Sequence, residues 1–257
     1  MSVVVRADPR EQPLRAKYRA ARISAVWHDP AKRRIGLALL AATAASLVFA
    51  HITEDYLTND PLARWDVSFA RWLSEHRSTA GLDVFRAITN FGSPAVSLLL
   101  ATLVCVALYR RRALADAALL PVVLGGAELL NLVLKLSFHR VRPEVGFVHL
   151  DTYSYPSGHA MLAAATYGAF MFLCWGRART RRLRTSMLAG TIAIVVLICF
   201  SRLYLGVHYL SDVLGGVAAG AAWLALSIAL HAAYGERFAA VFASSRLDRF
   251  GRRVTRS

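Results

Sequence analysis

The chain has 257 residues, with 31 Lys or Arg, 16 Asp or Glu, a formal net charge of +15 and a mean hydropathy of +0.42. The charge is segregated into clusters between long uncharged runs, which excludes a disordered basic tail, a collagen-like chain and a disulfide-stapled secreted module. The three cysteines lie inside apolar runs, so we expect reduced thiols and no disulfide.

Basic residues are concentrated in four parts of the chain. These parts hold 23 of the 31 Lys and Arg residues and comprise residues 1–34, 110–112, 177–184 and the chain from 237 onward. Basic clusters that alternate with apolar runs are typical of membrane topology, whereas a nucleic-acid-binding protein carries a basic stripe interleaved with aromatic residues. We therefore expect a bilayer and no nucleic acid as the partner.

Six apolar segments predict an all-α, integral membrane bundle of six helices. In chain order they are residues 35–52, 91–109, 117–136, 158–175, 187–200 and 210–231. The basic clusters predict a protein of the plasma (inner) membrane with both termini on the cytoplasmic side. Odd-numbered spans then cross from the cytoplasm to the outer side, and even-numbered spans cross back.

This topology divides the chain into three parts. Residues 1–34 form a basic cytoplasmic segment, 35–234 the six-span domain and 235–257 a basic cytoplasmic tail. The first segment has no apolar core typical of a cleaved signal peptide, so we expect the first span to act as an uncleaved anchor.

The first outer connector, residues 53–90, carries six carboxylates against four Arg residues. Apolar and aromatic residues recur in it at helical spacing: Leu62, Trp65, Phe69, Trp72, Leu73 and His76. The pattern predicts a short amphipathic helix, which either lies at the outer membrane interface or packs over the bundle.

Three polar motifs fall at or near the ends of spans, where ionisable groups usually mark function. They extend from Lys135 to Pro143, from Tyr155 to His159 and from Ser201 to Asp212. The predicted topology places all three on the outer side of the membrane, so they can converge.

The cations of these motifs predict a phosphate-binding cage. Lys135, Arg142 and Arg202 supply three positive charges, and each guanidinium can bind phosphate oxygens in a bidentate manner. Ser157 adds a hydroxyl at a helix start, where free N–H groups and the helix dipole favour an anion. Gly158 allows a close approach of the backbone.

Two histidines and a carboxylate predict the chemistry at this cage. His208 and Asp212 are four residues apart, so on one helical face the carboxylate can accept the imidazole N–H and leave the other nitrogen free to attack. His208 is therefore the expected nucleophile. His159 is the second imidazole, which can protonate a leaving oxygen and then deprotonate the attacking water.

Acidic residues are sparse near the cage. The predicted outer face offers only Glu144, Asp151 and Asp212, so we expect neither a divalent-metal site nor a cofactor. Glu128 lies seven residues before Lys135, two turns deeper in the third span. A hydrogen bond to a neighbouring helix is the favoured interpretation, and a functional role is the alternative.

The three motifs together resemble the tripartite signature of the type-2 phosphatidic-acid phosphatase superfamily, with no invariant position altered: Lys135-x6-Arg142-Pro143, Pro156-Ser157-Gly158-His159 and Ser201-Arg202-x5-His208-x3-Asp212. The resemblance covers residues 37–234 and implies a metal-independent phosphatase with a phosphohistidine on His208 and His159 as acid and then base. It also implies that the phosphoryl group is held by Lys135, Arg142, Ser157, Gly158 and Arg202.

The expected function is hydrolysis of a lipid phosphate or diphosphate on the extracytoplasmic side. The motifs lie near headgroup depth, and the outer connectors 143–155 and 203–207 are too short to cap a soluble substrate. A prenyl diphosphate such as undecaprenyl diphosphate ranks first by family frequency. Phosphatidate, phosphatidylglycerol phosphate and lipid A phosphates are the alternatives.

Two other classes of protein compete with this function. A vanadium haloperoxidase of the same superfamily is disfavoured because six spans leave no soluble helical scaffold. A non-catalytic transporter or scaffold would have no reason to retain His208, Asp212 and His159 together. Release of inorganic phosphate in EDTA separates the phosphatase from both.

Overall fold

The computed structural model describes residues 29–58, 60–148 and 150–254, with side chains at 236 and 238–254 left out. Residues 1–28 of the predicted N-terminal segment and the side chains of most of the predicted tail therefore lie outside the description. The described chain contains eight α-helices, a 3₁₀ turn and no strand. The helices are α1 Pro30–Thr58, α2 Pro61–Glu75, α3 Thr79–Thr89, α4 Pro94–Arg110, α5 Leu114–Phe138, α6 Gly158–Trp175, α7 Arg181–Tyr204 and α8 Leu210–Val254, and the 3₁₀ turn is Asn90–Gly92.

Five helices in the described chain are long and apolar enough to cross a membrane alone: α1, α5, α6, α7 and the Leu210–Gly235 part of α8. Helix α4 has 17 residues and completes a sixth span only together with α3 and the 3₁₀ turn, across a bend of 47°. The predicted all-α membrane bundle is confirmed. The helices extend beyond the predicted spans because hydropathy marks only the apolar part, while polar end turns continue the same backbone hydrogen bonding.

Helix starts follow local capping chemistry. The Ser78, Ser93 and Thr180 side chains accept the backbone N–H groups of Gly81 (3.0 Å), Val96 (3.3 Å) and Leu183 (3.1 Å). Each therefore satisfies one of the N–H groups that the first turn of a helix leaves unpaired. Pro61 and Pro94 begin α2 and α4, at the position where a missing N–H costs nothing.

Helix α6 occupies the centre of the bundle and packs against α4, α5, α7 and α8. Its Met161, Ala165 and Ala169 side chains are fully buried in the main apolar core. Helix α8 passes very close to the start of α6, since a Cβ at Gly216 would lie 2.5 Å from the carbonyl oxygen of Ser157. This close approach brings the N-terminal turn of α8 against the second motif.

The predicted amphipathic helix is confirmed as α2. The residues through which it packs on the bundle are not the predicted aromatic residues Trp65 and Trp72. Trp65 and Trp72 are about half exposed (53% and 52%) and stack on either side of Phe69. The side that packs on the bundle is formed by Ala63, Asp66, Ala70 and Leu73. The aromatic face is thus free for a membrane interface while the opposite face packs over the bundle. Helix α3 was not predicted.

Glu128 does not make the contact expected from the sequence. Its side chain is exposed on the surface of α5, and no described residue forms a hydrogen bond or ion pair with it. Asn131, one turn further along, is instead the buried polar residue of this helix.

Candidate active site

The three motifs meet at one end of the bundle. Helix α5 ends there and α6 begins there, while α7 ends and α8 begins around the turn 205–209. Arg142 of the first motif donates to the Val207 carbonyl of the third motif at 2.6 Å. The Ser157 N–H of the second motif donates to the Asp212 carbonyl of the third motif at 2.9 Å. The expected convergence is therefore present.

His208 is buried between a carboxylate and a guanidinium. Its Nδ1 lies 3.4 Å from Asp212 Oδ2, and its Nε2 lies 3.3 Å from Arg142 Nη1. An N–H donor at Nε2 and a carboxylate at Nδ1 favour the tautomer with the proton on Nδ1 and the lone pair on Nε2. The orientation suits a nucleophile that attacks from Nε2.

Burial lowers the pKa of His208 to about 3, with Asp212 opposing that shift and the charges on Arg202 and Arg142 adding to it. A histidine with this pKa stays neutral when the pH falls from 7 to 5. The Nε2 lone pair is therefore present without prior loss of a proton.

Backbone carbonyls orient the cations of the first motif. Arg142 donates to the Thr152 carbonyl at 2.7 Å and the Val207 carbonyl at 2.6 Å, and Lys135 Nζ donates to the Tyr153 carbonyl. A cavity of about 360 Å³ lies beside Arg142 and is lined by these same three carbonyl-bearing residues among others. Arg142 thus borders an open space in a fixed geometry, whereas Lys135 is not part of the cavity lining.

Arg202 Nε and Ser157 Oγ are among the polar atoms at this end that are buried without a hydrogen-bond partner in the described chain. Arg202 is held by a 2.7 Å bond from its Nη1 to Thr89 Oγ1 of α3. Ser157 lies directly before α6, whose first-turn N–H groups have no intrahelical acceptor. Buried donors without partners are costly, and an oxyanion would satisfy them.

Gly158 is placed where a side chain does not fit. A Cβ there would lie 2.9 Å from Asn131 Oδ1, and the Asn131 amide donates to the Pro156 carbonyl at 3.3 Å. Asn131 therefore fixes the loop that precedes α6, and the glycine leaves room for the Asn131 side chain against the start of that helix.

His159 is the second residue of α6 and is partly buried. It follows Ser157 and Gly158 directly and so lies beside the second motif's N–H groups at the start of α6. No other described residue forms a hydrogen bond with its side chain.

Four residues of this site were missed by the sequence analysis: Asp66, Thr89, Arg140 and Ser154. Ser154 donates to Asp212 Oδ2. The one available signal was the spacing of Ala63, Asp66, Ala70 and Leu73, which places Asp66 on the small-residue stripe of α2 that packs on the bundle. No three His, Cys, Asp or Glu residues in the described chain form a group that could hold a metal ion.

Comparison with known proteins gives concordant matches. The family model described as "PAP2 superfamily" matches residues 116–236. Phosphatidylglycerophosphatase B of Bacillus subtilis (strain 168) is 35% identical over 153 residues, which cover 58% of this chain and 70% of that protein. A crystal structure of a transmembrane PAP2 type phosphatidylglycerolphosphate phosphatase from Bacillus subtilis matches with a TM-score of 0.68 and 29% identity, covering 73% of this chain and 94% of that one.

Proposed function

The chain belongs to the PAP2 superfamily as a membrane lipid phosphatase, and from this premise we propose that it removes the terminal phosphate of phosphatidylglycerol phosphate. Both bacterial relatives carry the name of that activity. The prenyl diphosphate ranked first by family frequency has no such support, so the phospholipid alternative is the better proposal. Whether the protein also hydrolyses a prenyl diphosphate is tested by the comparison of substrates described below.

The observation that carries the proposal is the placement of His208 Nε2. It lies 3.3 Å from a guanidinium nitrogen of Arg142, while the other ring nitrogen faces Asp212. A nucleophile held directly beside a phosphate-binding cation is the arrangement that phosphoryl transfer requires.

In the first step, His208 Nε2 attacks phosphorus and the bond from phosphorus to the lipid oxygen breaks. Lys135, Arg142 and Arg202 balance the charge that builds up on the phosphoryl oxygens, together with the Ser157 hydroxyl and the N–H groups that begin α6. The products of this step are the lipid alcohol and a phosphohistidine.

His159 supplies the proton that the leaving oxygen needs. A bound phosphate dianion favours the protonated, positively charged imidazole, so substrate binding itself promotes protonation of His159.

In the second step, neutral His159 takes a proton from water, and the hydroxide oxygen attacks the phosphohistidine. The bond from phosphorus to nitrogen breaks, inorganic phosphate leaves and His208 returns to its neutral form. Asp212 stabilises the positive imidazole of the intermediate in both steps.

The proposed activity is tested by phosphate release from defined lipids by the purified protein in detergent with excess EDTA. We expect phosphatidylglycerol phosphate to be hydrolysed faster than phosphatidate or a prenyl diphosphate, and we expect vanadate to inhibit because it adopts the five-coordinate geometry that the cage stabilises. Activity lost in EDTA and restored by Mg²⁺ would contradict the metal-free mechanism. Faster release from the prenyl diphosphate would contradict the proposed substrate.

We propose that the active site faces the extracytoplasmic side, since the basic connectors 110–112 and 177–184 lie at the opposite end of the bundle. In a variant without the native cysteines, a cysteine at Ser78 should react with an impermeant thiol reagent in intact cells, and one at Thr180 should not. Both residues are exposed helix caps, so the two substitutions disturb the fold to a similar degree. The reverse labelling pattern would place the active site in the cytoplasm.

A further inference from the structure

Arg140 is the centre of a buried ion cluster behind Asp212. Its Nη1 donates to Asp212 Oδ1 and to Ser211 Oγ, both at 2.6 Å, and its Nη2 donates to Asp66 Oδ2 at 2.8 Å. Both carboxylate side chains are completely buried and the guanidinium is nearly so. The guanidinium donates from two separate nitrogens and so bridges the two carboxylates, whereas the Lys ammonium has a single nitrogen.

Two aromatic rings and further hydrogen bonds surround the guanidinium, although Arg140 is also among the residues that line the cavity beside Arg142. The rings of Tyr56 and Tyr209 each lie 4.4 Å from the guanidinium carbon of Arg140. Asp66 also accepts the Ser211 N–H at 3.0 Å and the Ser211 hydroxyl. Aromatic rings therefore cover the guanidinium and carboxylates occupy its terminal nitrogens, which leaves Arg140 unsuited to hold a phosphoryl group.

The two oxygens of Asp212 serve different partners. Oδ1 bonds to Arg140, whereas Oδ2 faces His208 Nδ1 and accepts the Tyr209 N–H at 2.8 Å. The bond to Oδ1 thus sets the plane of the carboxylate that orients the imidazole. Asp66 and Asp212 share Arg140 as a cation, so its removal leaves two buried carboxylates without that charge between them.

We propose that Arg140 and Asp66 are positioning residues of the phosphatase: Asp66 holds Arg140, and Arg140 fixes Asp212 as the ionised group that orients His208. Neither residue touches the substrate. The inference rests on the proposed phosphohistidine mechanism and extends the catalytic unit to α2, the amphipathic helix that lies outside the three sequence motifs.

The decisive measurement is the rate constant of phosphoenzyme formation in a single turnover of the purified full chain. Because a rate constant is independent of the fraction of folded protein, it separates positioning from stability. Arg140→Gln should lower it by about 10–100-fold, the usual cost of losing a partner that orients a reacting group, with substrate affinity nearly unchanged.

Charge balance gives a sharper test than the single substitution. Adding Asp66→Asn to Arg140→Gln removes one of the two carboxylates left without a cation, so the double variant should recover part of the lost rate constant. Arg140→Lys keeps the charge but offers one nitrogen instead of two to bridge the carboxylates, and its rate constant should be intermediate. Arg71→Gln, at an exposed position on α2, is the matched control and should behave as wild type.

Each alternative outcome is distinguishable. Wild-type rate constants in both Arg140 variants would show that the cluster contributes only to the stability of the fold, which would overturn the inference. Weakened substrate affinity with an unchanged rate constant would make Arg140 a direct phosphate ligand, which also overturns it. A double variant no faster than Arg140→Gln would exclude the shared charge. Phosphate release by wild type without any phosphoenzyme would instead contradict the proposed mechanism itself.

Discussion

Replacement of His208 by Ala is expected to abolish phosphate release, with a loss of roughly 10⁴–10⁶-fold, the scale on which removal of a nucleophile or its orienting acid acts in serine proteases. Among the described residues, the His208 imidazole is the one side chain with a ring nitrogen beside Arg142 and its other nitrogen facing a carboxylate. A water molecule in the position of the missing imidazole would not be oriented by Asp212 in the same way and could not replace it as the nucleophile. The folded variant should still bind phosphate, because the cage residues are intact.

The direct readout is a phosphoenzyme trapped by a rapid quench without acid, because phosphohistidine is labile in acid. Wild type should be labelled by a substrate with a radioactive terminal phosphate, and His208→Ala should not. His76→Ala, at an exposed histidine on the amphipathic helix side, is the control for loss of an imidazole as such. Normal labelling of His208→Ala would move the nucleophile to another residue.

Asp212→Asn completes this test because it keeps the shape of the side chain and removes its charge. The amide cannot stabilise a positive imidazole and can stabilise the wrong tautomer, so turnover should fall by up to about 10⁴-fold. The same substitution leaves Arg140 paired only with Asp66. We therefore expect a labelled but much slower enzyme, in contrast to the unlabelled His208→Ala.

The sequence predicts those parts of the site whose partners are close along the chain. His208 and Asp212 are four residues apart, and Ser157 directly precedes α6, so closeness along the chain brings the groups of each motif together. The predicted shared helical face is wrong, because His208 lies in the turn before α8 and only Asp212 lies on the helix. The long uncharged runs likewise identify the spans, because a segment that crosses a bilayer must be apolar along most of its length.

The remaining parts depend on contacts between helices far apart in the chain. Arg140 meets Asp66 across 74 residues, and Arg202 meets Thr89 across 113. Such pairs leave no periodic signal in the sequence. Asp66 is one of six carboxylates in connector 53–90, and the sequence alone does not distinguish it from the other five. Burial of Asp66 follows only from the docking of α2 on the bundle, which the sequence left as one of two alternatives.

His159→Ala should discriminate between leaving groups. Hydrolysis of phosphatidylglycerol phosphate expels an alkoxide whose conjugate acid has a pKa near that of water, about 15.7, so a proton from His159 is needed. A prenyl diphosphate expels a phosphate monoester, whose second pKa is about 6 and which can depart without that proton. The variant should therefore slow the first step for the phospholipid by about one to two decades more, within the roughly 10²–10⁴-fold available to general acid catalysis.

The measurement must isolate the first step, because the same His159 is proposed to activate water in the second, and steady-state rates can then fall equally for both lipids. Single-turnover formation of the phosphoenzyme with excess protein meets this need. No described residue forms a hydrogen bond with the His159 side chain, so its truncation breaks no hydrogen bond of the cage cations in the described chain. Equal slowing of phosphoenzyme formation with the two lipids would show that His159 is not the acid and that its imidazole acts on the bound phosphate chiefly through charge.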